Sequence, residues 1–291
     1  MNDSLSMFSM QLLNGLAYGM LLFLLASGLS LIFGIMDILN LAHGSLYMLG
    51  AYVAFSISRH LGSYWLALIL APIVVGIIAL ILEVGLIRPI YARGHLNQVL
   101  LTFGLSYVFS DVARWIWGAD IHTLTPPEGL SGSMVILGQT FPRYRLVVVV
   151  FGLVIAFLLW AFQAKTRWGS ILRAGVSDKE MVSGLGINIQ LVFTLVFAMG
   201  AVLAALGGIA AGPILGVYPG MDAETLIYAL IVVVVGGLGS FMATLGSSIL
   251  IGLADTFGKI WFPKFDMFII FGIMVIVLLV KPSGLFGGRT V

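Results

Sequence analysis

The stretch that decides the fold is NGLAYGMLLFLLASGLSLIFGIMDILNLAHGSLYMLGAY, residues 14–52. Its only acidic or basic group of fixed charge is Asp37, and apolar runs lie on both sides of it. Runs of about 20 apolar residues are long enough to cross a bilayer as helices. The segment 34–45 interrupts the two runs, and Asn40 is a suitable cap for the second helix. We therefore expect two membrane helices separated by irregular backbone.

The composition of the whole chain agrees with this expectation. Of 291 residues, 60% are hydrophobic and 9% are charged, whereas soluble domains carry roughly 25% charged residues. So few charges cannot keep a folded surface in water, which excludes a water-soluble monomer. Cysteine is absent, which excludes disulfides and thiolate chemistry, and the net charge of +2 is too small to indicate a nucleic-acid partner. The sequence predicts one all-α transmembrane domain over residues 1–291.

Long uncharged stretches predict about eight or nine transmembrane helices, some of them discontinuous or broken at glycine. The expected crossings are 8–34, 41–58, 65–87, 97–117, 146–164, 191–215, 223–239, 241–257 and 266–281. The first run is too long for a signal peptide, and the acidic start Met1-Asn2-Asp3 is also unlike one. Nine crossings place the two termini on opposite sides of the membrane.

The distribution of Lys and Arg predicts the orientation, since cytoplasmic loops are enriched in both. One side of the nine-span arrangement holds Arg88, Arg93, Lys165, Arg167, Arg173, Lys179, Lys281 and Arg289, and the other holds Arg59, Arg143, Arg145, Lys259 and Lys264. We expect the N-terminus outside and the C-terminus inside. Residues 118–145 then form an external cap loop, and residues 164–190 form a cytoplasmic loop.

A search for catalytic and cofactor motifs gives no support for an enzyme. GLADTFGKI, residues 252–260, resembles a phosphate-binding loop but has the wrong glycine spacing, and Ile260 replaces the required hydroxyl. The histidines at positions 43, 60, 95 and 122 lack metal-binding spacing. We expect no catalytic residue, no metal and no cofactor in this chain.

The cytoplasmic loop KTRWGSILRAGVSDKEMVSGLGINIQ, residues 165–190, predicts a short helix. Ser177 and Glu180 have the spacing of a capping box, and a glycine at position 184 or 186 can end the helix. Its apolar residues are Met181, Val182 and Leu185. Such a helix of about two turns needs a surface for this face, which is either a partner protein or the bilayer.

Polar residues within the predicted spans are the candidates for a solute path, since each is costly in lipid. Asp111 and Arg114 are expected to pair on one helix face, and Glu83 is expected to reach the nearby interface. The uncharged candidates Asn14, Asn40, His43, Thr102 and Ser106 either line a path or bond a neighbouring helix. Gly236, Gly237 and Gly239 predict a break that either borders a cavity or allows close helix packing.

Three segments resemble the permease subunits of branched-chain amino acid ABC importers: residues 14–52, 166–187 and 232–252. Asn40 to Gly44, the run NLAHG, is the most specific part. Arg173, Ala174 and Asp178 resemble the loop by which such permeases contact their ATPases, in which Ser177, Glu180 and Gly186 also lie. Ser183 departs from the alanine that is frequent in relatives.

This resemblance implies a subunit of a larger importer in the inner membrane of a bacterial cell. The partners would be a second, homologous permease, two cytoplasmic ATPases that bind ATP and magnesium, and a periplasmic solute-binding protein. Transport would proceed by alternating access.

The sequence leaves two other functions open. The first is an ABC permease for another solute, such as urea, a short amide, an aromatic acid or a sugar. The second is an ion-coupled carrier that works without ATP, although the spans offer few charged residues beyond Asp111 and Glu83 to bind an ion.

Overall fold

The computed structural model describes residues 2–136, 138–237 and 239–286, which fold as helices with one small hairpin. The α-helices are α1 (Asn2–Met36), α2 (His43–Leu61), α3 (Tyr64–Leu82), α4 (His95–Trp117), α5 (Arg143–Lys165), α6 (Arg167–Ser177), α7 (Lys179–Gly184), α8 (Ile189–Leu215), α9 (Met221–Gly236), α10 (Phe241–Trp261) and α11 (Asp266–Val280). A π-helical turn (Glu83–Ile87) and a 3-10 helix (Arg88–Arg93) prolong α3. Strands β1 (Ser133–Ile136) and β2 (Gln139–Pro142) pair antiparallel.

Each segment predicted to cross the membrane is one of these helices. Six are long and apolar enough to span a bilayer: Ser6–Met36, Tyr64–Tyr91, His95–Trp117, Arg143–Lys165, Ile189–Leu215 and Phe241–Trp261. The other predicted crossings correspond to α2, α9 and α11, of which the last two have only 16 and 15 residues. The all-α polytopic fold is confirmed, and the predicted count of crossings is approximate.

Two short non-helical segments lie inside the bundle: break 1 (residues 37–42) between α1 and α2, and break 2 (residues 216–220) between α8 and α9. His43 Nε2 lies 3.1 Å from the backbone oxygen of Leu25, so α2 begins beside the middle of α1. The Ser45 hydroxyl donates to Asp222 Oδ2 at 2.9 Å, so α9 begins beside the first turn of α2. α2 and α9 therefore start within the bundle rather than at its ends.

The helices α1–α3 and α8–α10 repeat one arrangement in opposite directions. Each set contains a long helix, a break, a buried shorter helix and a further long helix. α1 packs antiparallel on α8, with Gly28 against Gly200 and Leu24 against Gly207. α1 also packs on α10 as α8 packs on α3. Inverted repeats of this kind are common in transporters, whose substrate sites lie near the repeat interface.

Glycine permits the closest helix contacts in this core. A Cβ atom on Gly44 would lie 2.4 Å from the backbone oxygen of Asp222, and one on Gly28 would lie 2.5 Å from that of Gly200. A side chain at either position would push two helices apart. The bundle therefore relies on small residues for its packing, as membrane helices generally do.

The two ends of the bundle differ. The cap end carries the loop 118–142, and there Arg145 at the start of α5 donates to Asn14 of α1. The coupling end carries α6, α7 and the turn between α9 and α10, where Gln163 near the end of α5 donates to the Gly239 oxygen at 3.5 Å. Asn14 and the last described residue, Phe286, lie at opposite ends, as the predicted nine crossings require.

The glycine break predicted after Val235 is present between α9 and α10. Gly237 and Gly239 have φ angles of 96° and 79°, which favour glycine. The backbone amide of Leu285 donates to Val235 at 2.8 Å, and that of Phe286 donates to Gly236 at 3.2 Å. Protein therefore satisfies these backbone groups at the coupling end.

Two expectations for the membrane helices need correction. Glu83 does not reach the interface: its side chain is fully buried and forms a 2.8 Å ion pair with Arg88. Asn40 is not the N-cap of α2, because Ala42 occupies that position without a side-chain cap. Asn40 Oδ1 instead accepts from the Ala42 amide at 3.1 Å inside break 1. The predicted Asp111–Arg114 pair is present, at 3.5 Å.

Candidate functional site

The segment between α5 and α8 forms two helices rather than the single one predicted. α6 begins after Thr166, whose hydroxyl accepts from the Gly169 amide at 3.0 Å. A Cβ atom on Gly169 would lie 2.4 Å from the backbone oxygen of Gln163, so the chain turns sharply from α5 into α6. We predicted a single helix here, although Trp168, Ile171, Leu172 and Val176 recur at helical spacing within α6.

α7 is the predicted short helix, but its cap is one residue later than expected. Asp178, not Ser177, is the N-cap, and its Oδ1 accepts from the Met181 amide at 2.9 Å. Ser177 is the last residue of α6, and its side chain lies outside the described part of the structure. Both predicted glycines act at the end of the helix: α7 stops at Gly184, and Gly186 has a φ angle of 81°.

α7 presents apolar side chains to solvent at the coupling end. Val182 is 2% exposed and holds the helix against the bundle, whereas Met181 and Leu185 are 62% and 72% exposed. Arg173, Ala174, Asp178 and Glu180 are exposed in the same segment. We call these last four residues, with Met181 and Leu185, the coupling surface. It combines an apolar centre with charges of both signs, as protein-binding surfaces often do.

The coupling surface is connected directly to the long helices. Asn188 caps α8 through a 3.1 Å bond from the Leu191 amide. In the second turn of α8, the Thr194 hydroxyl donates to Glu83 Oε2 at 2.9 Å. Glu83 also accepts from Arg88 and from the Tyr91 hydroxyl, at 2.8 and 2.7 Å. This network ties the helix after α7 to the end of α3, and its only sequence signal was an acidic residue near the end of a predicted span.

The uncharged path candidates fall into four places. Asn40, His43 and Thr102 are fully buried at break 1, where Thr102 Oγ1 accepts from the Leu41 amide at 3.2 Å. Ser106 lies on α4 and bonds the Phe103 oxygen of its own helix at 2.7 Å. Gly236, Gly237 and Gly239 lie at the coupling end.

Asn14, the remaining candidate, borders a cavity of about 270 Å³ at the cap end. Arg145, Asp255 and Lys259 also line this cavity. Asp255 is buried and bonds the Lys259 ammonium at 2.7 Å. The sequence pattern did not select Asp255 or Lys259, because they lie near the end of a predicted span and the only motif around them, at residues 252–260, fails as a phosphate-binding loop.

A second cap-end cavity, of about 210 Å³, adjoins the first and shares Tyr18, Leu215 and Lys259 with it. Glu224 and Tyr218 lie at this second cavity, and the Tyr218 hydroxyl donates to Glu224 at 2.8 Å. Burial and then this hydrogen bond raise the pKa of Tyr218 to about 12, so the phenol stays protonated at neutral pH. No group of three or more metal-ligating side chains occurs among the described residues.

The fold and these surfaces define a class of protein. A helical membrane bundle with inverted repeats, exposed apolar side chains at one end and polar cavities at the other has the architecture common among multi-pass transporters. The family model described as "Branched-chain amino acid transport system / permease component" matches residues 11–278. The chain belongs to this family of branched-chain amino acid permeases.

Individual relatives agree with the family match along nearly the full length. The high-affinity branched-chain amino acid transport system permease protein BraD of Pseudomonas aeruginosa is 29% identical, with 95% of each chain covered. The corresponding LivH protein of Escherichia coli is 27% identical, over 99% of this chain and 98% of LivH. A probable LivH of Methanocaldococcus jannaschii is 23% identical, with 93% and 90% covered. No solved structure matches the chain.

Proposed function

We propose that this chain is one of two homologous permeases in an ATP-driven importer of branched-chain amino acids. Its helices form part of the translocation path, and transport proceeds by alternating access. The names of its relatives support the solute class, since BraD and LivH are called high-affinity branched-chain amino acid transport permeases. Two ATPase subunits and a solute-binding protein complete the assembly.

The coupling surface is the observation that carries this proposal. A six-residue helix is too short to persist alone in water, where isolated helices become marginal at about 12–15 residues. α7 nevertheless exposes Met181 and Leu185, so its apolar side needs a partner. The bilayer is a poor candidate, because a membrane-lying helix favours Lys and Arg, whereas the charged residues of this segment have both signs: Arg173, Asp178, Lys179 and Glu180.

We assign the coupling surface to an ATPase subunit, which would bind ATP and magnesium in place of this chain. The coupling end is then cytoplasmic, and the cap end faces the binding protein outside the inner membrane. Movement of α7 would pass to α5 through α6, and to α3 through α8 and Glu83. The candidates Asn14, Asn40, His43, Thr102, Ser106, Gly236, Gly237 and Gly239 remain path positions in this proposal.

The coupling assignment is tested by changing the N-cap of α7. Asp178→Lys removes the cap and opposes the helix dipole, whereas Asp178→Asn keeps a good cap without the charge. In the purified importer, Asp178→Lys is expected to abolish ATP hydrolysis stimulated by the loaded binding protein. Asp178→Asn is expected to retain it.

A matched control is Glu128→Lys, which reverses an exposed charge at the cap end. It should leave unchanged the membrane insertion of the chain and the ATP hydrolysis of the purified importer measured without the binding protein. Full hydrolysis and uptake in Asp178→Lys, or solute transport by the chain without any ATPase, would show that the coupling assignment is wrong.

The orientation is tested separately, because the chain contains no cysteine. Single cysteines at Ser131 and Ser177 are expected to differ towards an impermeant maleimide on intact cells. Ser131→Cys should be labelled and Ser177→Cys protected until the cells are opened. The reverse result would invert the topology.

A further inference from the structure

An apolar groove adjoins the second cap-end cavity and shares Glu224 and Tyr228 with it. The groove measures about 260 Å³ and lies between α9 and α11. Its other lining residues are Ile227, Ile231, Met267, Ile270 and Phe271. A polar cavity and an apolar groove therefore meet at one carboxylate.

The polar cavity carries opposite charges that remain able to bind a ligand. Lys259 donates to Asp255 at 2.7 Å, and its ammonium has further hydrogens to donate. Glu224 accepts from the neutral Tyr218 hydroxyl and forms no ion pair with any residue in the described part of the chain. A ligand with one negative and one positive group fits this pair better than a ligand with a single charge.

The apolar groove suits a branched aliphatic side chain. Ile231 and Ile270 are 3% and 1% exposed and form its floor, whereas Ile227 and Phe271 are 44% and 40% exposed and form its rim. Among the side chains that the structure describes, Glu224 is the one charged group that lines it. Glu224 lies where the charged head of a ligand would join its apolar tail.

We propose that the polar cavity and the apolar groove together bind one branched-chain amino acid as a zwitterion. Lys259 takes the α-carboxylate, Glu224 takes the α-ammonium, and the aliphatic side chain lies between α9 and α11. The site receives the solute that the binding protein releases, so this inference rests on the proposed function. It gives the permease its own selectivity against urea, neutral amides and sugars, which lack both charges and the branched tail.

Cysteine protection tests occupancy of the site in the complete importer, reconstituted in lipid nanodiscs without ATP. The variant Ile227→Cys places a thiol on the rim of the groove in a cysteine-free chain. L-Leucine is expected to slow its reaction with a small methanethiosulfonate reagent. Leucinamide lacks the carboxylate and 4-methylpentanoate lacks the amine, so neither should protect. L-Alanine lacks the branched tail and should protect only weakly.

Charge removal tests the role assigned to Glu224. Adding Glu224→Gln to the Ile227→Cys chain should raise the leucine concentration for half-protection about tenfold or more, since a hydrogen bond between charged groups is lost. The matched control Glu128→Gln makes the same change at an exposed cap-end position that lines neither the cavity nor the groove. It should leave the half-protection concentration unchanged.

The outcomes separate this site from the proposed function. ATP-driven leucine uptake by the parent importer with no protection by leucine would overturn the site alone. Slow labelling that is the same with and without leucine would mean that lipid or the partner permease fills the groove, and would also overturn it. Failure of the parent importer to take up leucine with ATP would instead contradict the proposed function.

Discussion

Break 1 and break 2 occupy corresponding places in the two inverted repeats, but their surroundings differ. His43, the first residue after break 1, is fully buried. Tyr218 in break 2 and Met221 just after it line the second cap-end cavity. Break 1 is buried at Ile38, Asn40 and Ala42 but exposed at Asp37, whereas break 2 contributes Tyr218 to a cavity.

The hydrogen bonding of the two breaks differs in the same direction. In break 1, Asn40 Nδ2 and His43 Nδ1 are buried and have no hydrogen-bond partner among the residues that the structure describes. In break 2, Val217 exchanges two 2.8 Å backbone bonds with His122 of the cap loop. Buried polar atoms without partners are costly, so break 1 is the less completely stabilised of the two. Such atoms would gain partners in a conformation that admits water.

The contact between Gly44 of α2 and Asp222 of α9, just after the two breaks, should be the most sensitive to mutation. Gly44→Val places a side chain against the backbone of Asp222, where even a Cβ atom would lie 2.4 Å from an oxygen. Overpacking typically costs 1–3 kcal/mol, and contact with rigid backbone should cost about 3 kcal/mol or more. Equilibrium unfolding in mixed micelles measures this loss. Gly104→Val is the control, because no atom lies within 4 Å of a Cβ built there.

Equal stability of these two valine variants would mean that α2 and α9 do not approach as closely as the structure shows. The conclusion that the helices following the two breaks start side by side would then lose its main evidence.

The second prediction concerns the hydrogen bond between Ser45 and Asp222. Asp222→Ala leaves the buried Ser45 hydroxyl without this acceptor and should lower the free energy of unfolding by about 1–3 kcal/mol. Ser45→Ala should act in the same direction, and the double variant should lose less than the sum of the two. Strict additivity would show that the two side chains do not interact.

The sequence predicted the helices on either side of both breaks. Of the two breaks, it predicted only break 1. Break 1 was predictable because Asp37 and Asn40 stand between two apolar runs. Break 2 was not recognised, since Pro213 is followed by residues 214–218, which resemble the end of an ordinary span. The relevant signal was the closely spaced Gly216 and Gly220, both at positive φ.

The candidate sites show the same difference between features that local sequence predicts and features that only the packing creates. The exposed α7 helix was predictable because capping and amphipathicity are local properties of the chain. The cavity residues Lys259 and Glu224 are far apart in sequence, and only the packing of α9 and α10 brings them to one cavity. The sequence contains no local pattern that encodes such a meeting.

The third prediction tests the incomplete hydrogen bonding of break 1. His43→Phe keeps a ring of similar size, removes the unpartnered Nδ1 and gives up the 3.1 Å contact with the Leu25 oxygen. Because one loss offsets the other, the expected change in unfolding free energy is under about 1 kcal/mol. A cost as large as that of Asp222→Ala would mean that break 1 is as fully stabilised as break 2.

The smallest effect is expected for the hydrogen bond at the rim of break 2. Tyr218→Phe removes the donor to Glu224, and because Glu224 is exposed the cost should be only about 0.5 kcal/mol at pH 7. The pKa of Tyr218 is raised from 10.0 in the unfolded reference to about 12 in the fold, so the neutral phenol is favoured by folding. Its stabilising contribution is therefore fully present below pH 10 and is lost as the pH rises towards 12. Unfolding measured across this range should show the wild type losing its advantage and becoming less stable than Tyr218→Phe above pH 10, whereas a difference that does not change with pH would mean that folding does not raise the pKa of Tyr218.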